Sequence, residues 1–386
     1  MLFSAQICPL RAKRDDTVSK VFSWVKQNVV LCIAAIAAIV TSVIVPPDKE
    51  YLGYFDFKTL TCLFCVLAVV CALRNVRFFY VLAETIIRRF KTTRLAILVL
   101  VYITFIGSML IANDMALLTF LPLGYYVLSN TGKEKYMAFT FIMQNIAANL
   151  GGMLTPFGNP QNLYLYSKFN IPTGEFTEIM LLPFAVAVLL ITVCCLFVKS
   201  EPLSIPEKAL WLNRPRVSLY LVLFVLSIVI VFRLIPYVTG LIVIPAVLLF
   251  ADRRALKEVD YPLLLTFVAF FIFSGNMSRI PAVRELFAAL LEKNTLIVSA
   301  LSCQVISNVP SAILLSQFTG NYAELLVGVN IGGCGTLISS LASLITFREY
   351  TKHNPGKAKY YLLLFSAFNF GFLILLTALM ALVFYH

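Results

Sequence analysis

The sequence predicts an all-α polytopic membrane protein that contains two inverted repeats. Of its 386 residues, 60% are hydrophobic and only 13% are charged. A soluble chain of this length could not bury so much apolar surface, whereas uncharged stretches of about 20 residues cross a bilayer as helices. The second observation is a set of polar motifs that recurs in the same order in both halves. These features exclude soluble enzymes, nucleic-acid-binding proteins and secreted disulfide-rich proteins.

Charged and proline-containing segments separate the apolar stretches and set the boundaries of the predicted elements. Residues 1–27 form a basic cytoplasmic tail, and the linker 199–216 separates the two repeats, 28–198 and 217–386. The first repeat is predicted to contain spans at about 28–46 and 57–73, an interfacial amphipathic helix at 74–94, a hairpin at 95–132, a broken helix at 134–166 and a span at 177–198. The second is predicted to contain spans at 217–233, 236–251 and 260–276, an interfacial helix at 278–293, a hairpin at 294–320, a broken helix at 324–347 and a last span at 359–384.

The stretch 95–132 carries one charged side chain, Asp114, which follows Asn113 almost at its centre. A re-entrant hairpin that enters and leaves on the same side of the membrane explains this pattern, with the Asn-Asp pair at its tip. Two full spans joined by a minimal turn would give the same topology. We favour the hairpin because its tip lacks the charged, turn-rich loop expected in water.

The distribution of basic residues predicts the orientation. Most of the 31 lysines and arginines lie in the segment 1–27, the helix 74–94 and the loops that would share their side of the membrane. Cytoplasmic loops are enriched in these residues. We therefore expect a multi-pass protein of the cell's inner (plasma) membrane, with a cytoplasmic N-terminus and an outside C-terminus.

The polar motifs align the two halves of the chain. The span that begins after Asp56 runs inward and the span that begins after Asp260 runs outward, so the repeats are predicted to be inverted. The corresponding segments are Ala112-Asn113-Asp114 with Ser307-Asn308-Val309, and Asn149-Leu150-Gly151-Gly152 with Asn330-Ile331-Gly332-Gly333.

Each broken helix is interrupted by residues that do not continue a helix. The first interruption contains two prolines and Gly158, and the second is the glycine-rich segment 332–336. Prolines remove backbone donors and glycines permit unusual dihedral angles. The freed carbonyls can coordinate a cation, while N–H groups at the start of a half-helix can hold an anion. A glycine-rich packing face is the alternative for the second segment.

These motifs resemble those of the ion transporter superfamily, which comprises citrate-transporter-like, arsenite-permease-like and sodium-coupled dicarboxylate carriers. The resemblance covers about residues 28–386 and implies an elevator-type secondary transporter that forms a homodimer. It also implies that hairpin tips and broken helices bind a small anion and its coupling ion. The implied substrate-binding residues are Asn113, Thr155, Pro156, Asn159, Asn162, Ser307, Asn308 and Thr336. The implied residues for Na⁺ or H⁺ are Asn113, Asp114, Gly158, Asn308, Gly335 and Ser339.

The hairpin tips depart from the dicarboxylate carriers, which carry Ser-Asn-Thr twice. Here the tips read Ala-Asn-Asp and Ser-Asn-Val, and the first looks closer to arsenite-permease-like and citrate-like members.

Three interpretations of Asp114 stay open: it carries the coupling ion, it caps the second helix of the hairpin, or it reaches the cytoplasmic interface without a specific role. An acid in an apolar stretch is costly and usually marks an ion pathway.

We therefore expect a secondary active transporter that moves a di- or tricarboxylate or an inorganic oxyanion, coupled to Na⁺ or H⁺. The alternative is efflux of an arsenite-like oxyacid, or Na⁺/H⁺ antiport through Asp114. No cofactor is expected besides the coupling ion, and no enzymatic activity, because no catalytic set accompanies Asp114. The phosphate-binding loop of nucleotide-driven pumps is absent. The expected partners are the small anion, membrane lipid and a second copy of the chain, but not nucleic acid.

Overall fold

The computed structural model describes residues 24–25, 28–204 and 212–385. The predicted tail 1–27 lies almost entirely outside these ranges, and the predicted linker 199–216 lies partly outside them. Within the described ranges the regular structure is helical, and no strand is present beyond an isolated bridge between Thr92 and Pro202. The predicted all-α membrane fold is confirmed.

Seventeen α-helices follow one another in the described residues, and short 3₁₀ turns join some of them. They are α1 (Val29–Ile44), α2 (Phe57–Asn75), α3 (Phe78–Ile87), α4 (Thr93–Ile111), α5 (Asn113–Asn130), α6 (Met137–Gly151), α7 (Pro160–Lys168), α8 (Thr173–Leu196), α9 (Arg214–Val231), α10 (Tyr237–Ala251), α11 (Arg253–Lys257), α12 (Tyr261–Ser278), α13 (Pro281–Ile306), α14 (Asn308–Leu315), α15 (Tyr322–Ile331), α16 (Leu341–His353) and α17 (Ala358–Tyr385). Helix α13 is kinked at Asn294, whose backbone is extended. The interfacial helix predicted at 74–94 corresponds to the shorter α3.

Six of the described helices are long and apolar enough to cross a membrane, namely α2, α4, α8, α9, α13 and α17. Four shorter helices, α1, α3, α10 and α15, are also apolar. Large hydrophobic side chains on several of them point outward, including Leu189, Phe250 and Leu363. Such surfaces are favourable in lipid and costly in water. The chain is therefore a multi-pass membrane protein.

The chain separates into two compact units, and the first contains α1 and α12. Asn276 of α12 is fully buried and donates from Nδ2 to Thr41 Oγ1 (3.3 Å) and Ser42 Oγ (3.2 Å) of α1. Beyond the end of α12, Arg279 pairs with Asp48 at 2.6 Å. The first set of contacts joins α1 to α12, and the ion pair joins the segments that follow the two helices.

The second unit comprises Asp56–Val259 and Pro281–His386 and contains both predicted hairpins and both broken helices. Hairpin 1 consists of α4 and α5, which pack on each other and on α6. Hairpin 2 consists of the part of α13 after Asn294, followed by α14, and both pack on α15. Each hairpin is thus packed against the first half of the broken helix that follows it in the chain.

Both ends of hairpin 1 are fastened to Glu201, which follows α8. The backbone carbonyl of Glu201 accepts the N–H of Thr93, at the start of the hairpin, at 2.9 Å. Its carboxylate accepts hydrogen bonds from Lys133 (2.5 Å), Lys135 (2.7 Å) and Tyr136 (3.1 Å), which follow the end of the hairpin. The two ammonium groups, Lys133 first, lower the pKa of Glu201 to about 2. This residue therefore closes the base of the hairpin as an anion.

We expect Glu201→Gln to lower the midpoint of thermal unfolding at neutral pH, because a neutral amide cannot accept two charge-assisted bonds. The folded-state pKa is below the ordinary value of 4.5, so this stabilisation is complete above about pH 5 and is lost as the pH falls toward about 2. Differential scanning fluorimetry should show the difference between parent and variant shrinking from pH 7 to pH 3. Glu134→Gln, at an exposed residue nearby, is the control. If the midpoints of parent and Glu201→Gln differ by the same amount at pH 7 and pH 3, the anionic role of Glu201 is contradicted.

Candidate functional site

The two hairpins turn at residues with matching, uncommon backbone conformations. Ala112 has φ 67° and ψ 154°, and Ser307 has φ 73° and ψ 160°. A non-glycine residue in such a region costs on the order of 1–3 kcal/mol, so the surrounding contacts must hold it there. In each hairpin the next residue caps the turn: the Oδ1 atoms of Asn113 and Asn308 accept the N–H of the residue that follows, at 3.0 and 2.9 Å. The two tips therefore have the same local structure.

The broken helices are interrupted at 152–159 and 332–340, which lie between α6 and α7 and between α15 and α16. In the first interruption the backbone folds tightly onto itself. A Cβ atom on Gly152 would lie 2.3 Å from Asn159 Oδ1, and one on Gly158 would lie 2.3 Å from the Gly152 carbonyl. In the second interruption Gly335 has φ +120°, a conformation that favours glycine.

A chain of hydrogen bonds connects the two hairpin tips. Asn113 Nδ2 donates to Asn149 Oδ1, and Asn149 Nδ2 donates to the Gly333 carbonyl, both at 3.3 Å. Ser339 Oγ donates to the same carbonyl at 2.8 Å. The backbone carbonyl of Ser339 accepts the N–H of Asn308 at 2.9 Å. The tip of hairpin 2 therefore contacts the second interruption directly, and the tip of hairpin 1 is linked to it through Asn149.

Asn330 makes the reciprocal connection to the first interruption and the start of α7. Its Nδ2 donates to Asn162 Oδ1 at 2.6 Å, and its Oδ1 accepts from Asn159 Nδ2 at 3.1 Å and from Gln161 Nε2 at 3.4 Å. These side chains and Asn149 are each at most 2% exposed. Asn149 and Asn330, which occupy matching motifs, thus each bind the interruption of the other broken helix. We call this set of contacts the asparagine network.

Two threonines attach the interruptions to the first arms of the hairpins. Thr155 Oγ1 donates to the Met109 carbonyl at 2.8 Å, and Thr336 Oγ1 donates to the Gln304 carbonyl at 3.0 Å. Both acceptors lie three residues before the residue with positive φ at the tip of their hairpin. Because the hydroxyl hydrogens are used in this way, the threonines offer a ligand only their oxygen lone pairs.

Of the other residues predicted for the site, Ser307 and Asn162 also join these contacts. Ser307 Oγ donates to the Ser339 carbonyl at 3.3 Å, and Asn162 Nδ2 donates to the Gly152 carbonyl at 3.1 Å. Pro156 is buried within the first interruption. Asp114 is half-buried in the first turn of α5.

Asn149, Asn330 and Gln304 belong to the site in the structure but are not among the residues predicted for it. Gln304 Nε2 donates to the carbonyls of Gly332 (2.9 Å) and Cys334 (3.0 Å), so it holds the second interruption against hairpin 2. The signal for Asn149 and Asn330 was their recurrence in matching motifs. No comparable signal marked Gln304, because Met109 occupies the corresponding position in hairpin 1.

The network offers oxygen atoms that suit a cation. Asn159 Oδ1 and Gln161 Oε1 are buried and accept no hydrogen bond from the described residues. Buried acceptors are usually paired, and amide oxygens are common ligands of hard cations. Within the described ranges, no group of three or more His, Cys, Asp or Glu side chains could hold a metal ion. The oxygen ligands of this region are therefore mainly neutral amides, hydroxyls and carbonyls.

Four helices begin at this network: α5 and α14 at the hairpin tips, and α7 and α16 after the interruptions. A helix N-terminus carries a partial positive charge and unpaired N–H groups, which favour an anion. None of the side chains in the asparagine network is basic. An anion in this region would therefore interact with helix ends and amides rather than with a fixed ammonium or guanidinium group.

Comparison with known proteins places this architecture in a family. Residues 20–325 match the citrate transporter (CitMHS) family, so the match includes both hairpins and the first interruption and ends before the second. The chain belongs to this family. It is similar to an uncharacterized transporter of Methanocaldococcus jannaschii, with 33% identity over 304 residues, which cover 78% of this chain and 82% of the relative. It is also similar to the inner membrane protein YbiR of Escherichia coli, with 30% identity over 313 residues and the same two coverages.

For this citrate transporter family member, we expect Asn330→Ala to lower the free energy of unfolding by about 3 kcal/mol, because it leaves buried amide groups of the first interruption unpaired. The loss is measured by denaturing the purified protein in detergent and monitoring its helix content by far-UV circular dichroism. Asn130→Ala is the control, since Asn130 is exposed and its one side-chain hydrogen bond among the described residues is to the Tyr126 carbonyl of its own helix. Equal stability of the two variants would contradict the structural role of Asn330.

Proposed function

We propose that this transporter moves a small anion together with Na⁺ or H⁺. The observation that carries the proposal is the asparagine network, at which four helices begin and in which the buried Asn159 Oδ1 and Gln161 Oε1 accept no hydrogen bond from the described residues. The helix ends favour an anion and the amide oxygens favour a cation. In a low-dielectric site each charge reduces the cost of burying the other. Binding of one ion therefore promotes binding of the other, which is the basis of coupled transport.

We propose a di- or tricarboxylate or an inorganic oxyanion as the substrate. The family's description as citrate transporters supports a carboxylate. Carboxylate oxygens would accept hydrogen bonds from the amide groups of Asn113 and Asn308 and from the first turns of α5 and α14. The cation would take oxygens from Asn159, Gln161 and the carbonyls freed at the interruptions. The residues proposed for the substrate are Asn113, Thr155, Pro156, Asn159, Asn162, Ser307, Asn308 and Thr336, and those proposed for the ion are Asn113, Asp114, Gly158, Asn308, Gly335 and Ser339. Because their hydroxyl hydrogens are already used, Thr155 and Thr336 would accept a hydrogen bond from a hydroxyl or protonated oxygen of the substrate rather than donate to a carboxylate.

The two halves would form inverted repeats that alternate access to the site. Support comes from the matching dihedral angles of Ala112 and Ser307 and from the equivalent bonds that Thr155 and Thr336 make to the hairpins. With the resemblance described above, this favours an elevator movement of the hairpins and broken helices within a homodimer. The basic residue distribution and the name of the Escherichia coli relative support an inner-membrane location with the N-terminus in the cytoplasm.

A second candidate function is efflux of a neutral oxyacid or Na⁺/H⁺ antiport through Asp114. The observation in its favour is the position of this carboxylate, which is half-buried in the first turn of α5 beside Asn113. A carboxylate at that position can exchange a proton for a cation. Acidic side chains are also common in the first turn of a helix, so helix capping accounts for the same position.

Ligand-induced stabilisation tests the leading proposal. We expect citrate, succinate, sulfate or phosphate to raise the unfolding midpoint of the purified protein in Na⁺ buffer by more than in matched K⁺ buffer, because a ligand that binds only the folded state stabilises it. Asn113→Ala and Asn308→Ala should each lose most of the shift, whereas the control Asn130→Ala should retain it. Arsenite is included as the neutral oxyacid. If arsenite alone stabilises the protein, and does so regardless of Na⁺, the anion proposal is wrong.

The coupling role of Asp114 is tested by Asp114→Asn in proteoliposomes. If Asp114 carries the coupling proton or cation, the variant should still bind substrate. Its uptake driven by a Na⁺ or pH gradient should be at least about tenfold slower than that of the parent, because the ion loses a charged ligand. Substrate exchange without a gradient supplies the internal control for folding. If the variant's gradient-driven uptake equals that of the parent, Asp114 does not carry the coupling ion and serves only as a helix cap.

A further inference from the structure

A cavity of about 350 Å³ opens beside hairpin 1, apart from the asparagine network. It lies between the turn that joins α2 to α3 and the outer face of α5. Its size is within the range of small-molecule sites. Its polar walls are Arg74, Arg77, Tyr80 and Thr119, and its apolar walls are Phe79, Leu118 and Pro122.

The chain turn brings two arginines to the same opening. Helix α2 ends at Asn75, and Arg77 adopts a left-handed conformation with φ 56° and ψ 27°. The Arg77 N–H donates to the Arg74 carbonyl at 2.8 Å, which closes a tight turn. A left-handed arginine is uncommon and is maintained only by its surroundings. The turn therefore places both arginines at the wall of the cavity.

The charges at the cavity are incompletely balanced. Arg74 pairs with Glu258 at 3.4 Å, and the same carboxylate binds Arg254 more closely, at 2.6 Å. Arg77 is exposed and forms no ion pair with the described residues. Glu258 is thus shared by Arg74 and Arg254, and the nearby Asp252 forms an ion pair with neither Arg74 nor Arg77 among the described residues. Guanidinium groups bind carboxylates and phosphates through paired hydrogen bonds, so the cavity presents donors suited to an oxyanion.

The apolar walls continue beyond the cavity along α3. Leu118 on α5 is 48% exposed, and Leu82 on α3 is 49% exposed. Ile86 lies one helical turn after Leu82 and is also exposed, so the two form one outward stripe. An oxyanion bound by the arginines would therefore lie next to a surface that suits hydrocarbon. Basic pockets between membrane helices that border such surfaces bind acidic lipid headgroups.

We propose that this cavity is a second oxyanion site, which binds a phosphate group through Arg77 and Arg74. The phosphate would belong to an anionic phospholipid or would be free in solution, and both use the same donors. Tyr80 and Thr119 supply further hydroxyl donors. Because α3 and α5 form opposite walls, an occupant would link hairpin 1 to the turn after α2. This proposal does not depend on the identity of the transported anion.

The experiment measures thermal stabilisation of the purified full-length protein by three probes: dioctanoyl phosphatidylglycerol, dioctanoyl phosphatidylcholine and inorganic phosphate. We expect the anionic lipid to raise the unfolding midpoint more than the zwitterionic lipid of equal chain length. Arg77→Gln should weaken the apparent affinity for the effective probe by about tenfold, since it removes a charged hydrogen-bond donor. Arg77→Lys should recover part of it, and Arg284→Gln, at an exposed arginine of α13, should have no effect.

The probes separate the two sources of phosphate. A response to phosphatidylglycerol alone that depends on Arg77 supports a lipid headgroup, and an Arg77-dependent response to inorganic phosphate supports a free oxyanion. The proposal is overturned if none of the probes stabilises the protein, or if Arg77→Gln responds to them as the parent does. Arg77→Gln lies outside the asparagine network, so failure here leaves the transport proposal intact.

Discussion

The structure depends on pairing the backbone and amide groups that become free where two membrane helices are broken. In a low-dielectric interior, a polar group that has lost its hydrogen bonds to water and gains no partner destabilises the fold by about 1–3 kcal/mol. Asn330 pairs with Asn159, Gln161 and Asn162 near the first break, and Asn149 pairs with the Gly333 carbonyl at the second. Polar groups at the interruption of each broken helix are therefore hydrogen-bonded by an asparagine of the other broken helix. This reciprocity explains why asparagines lie at matching positions.

The same reciprocity joins structure to function. Asn149, Gly333 and Ser339 connect the two hairpin tips by hydrogen bonds, so a ligand bound at one tip would be linked to the other through this chain. The network leaves buried amide oxygens without donors and gathers the ends of four helices. A coupled pair of an anion and a cation would satisfy both features. The base of hairpin 1, by contrast, is closed by the Glu201 carboxylate, which anchors the hairpin without contributing to the network.

Local sequence rules predicted much of this arrangement. The length of the apolar stretches predicted the helices, proline and glycine predicted the interruptions, and the recurrence of Asn113 and Asn308 predicted the hairpin tips. The partners across the network were not predictable, since Asn149 reaches Gly333 across 184 residues and this pairing depends on how the broken helices pack. Arg74 was assigned only to an interfacial helix. Its contact with Met115 near a hairpin tip is likewise set by packing.

The meeting of the two hairpin tips is tested most directly by cross-linking Ala112→Cys with Ser307→Cys in one chain, using a short bifunctional thiol reagent. We expect a link within one protomer, identified by mass spectrometry. It should be absent from either single variant, and the single variants also control for native cysteines. Ser129→Cys with Ser307→Cys should not link, because Ser129 lies about 24 Å from the tip along α5. Absence of the tip-to-tip link in Na⁺, in K⁺ and with citrate would contradict the account.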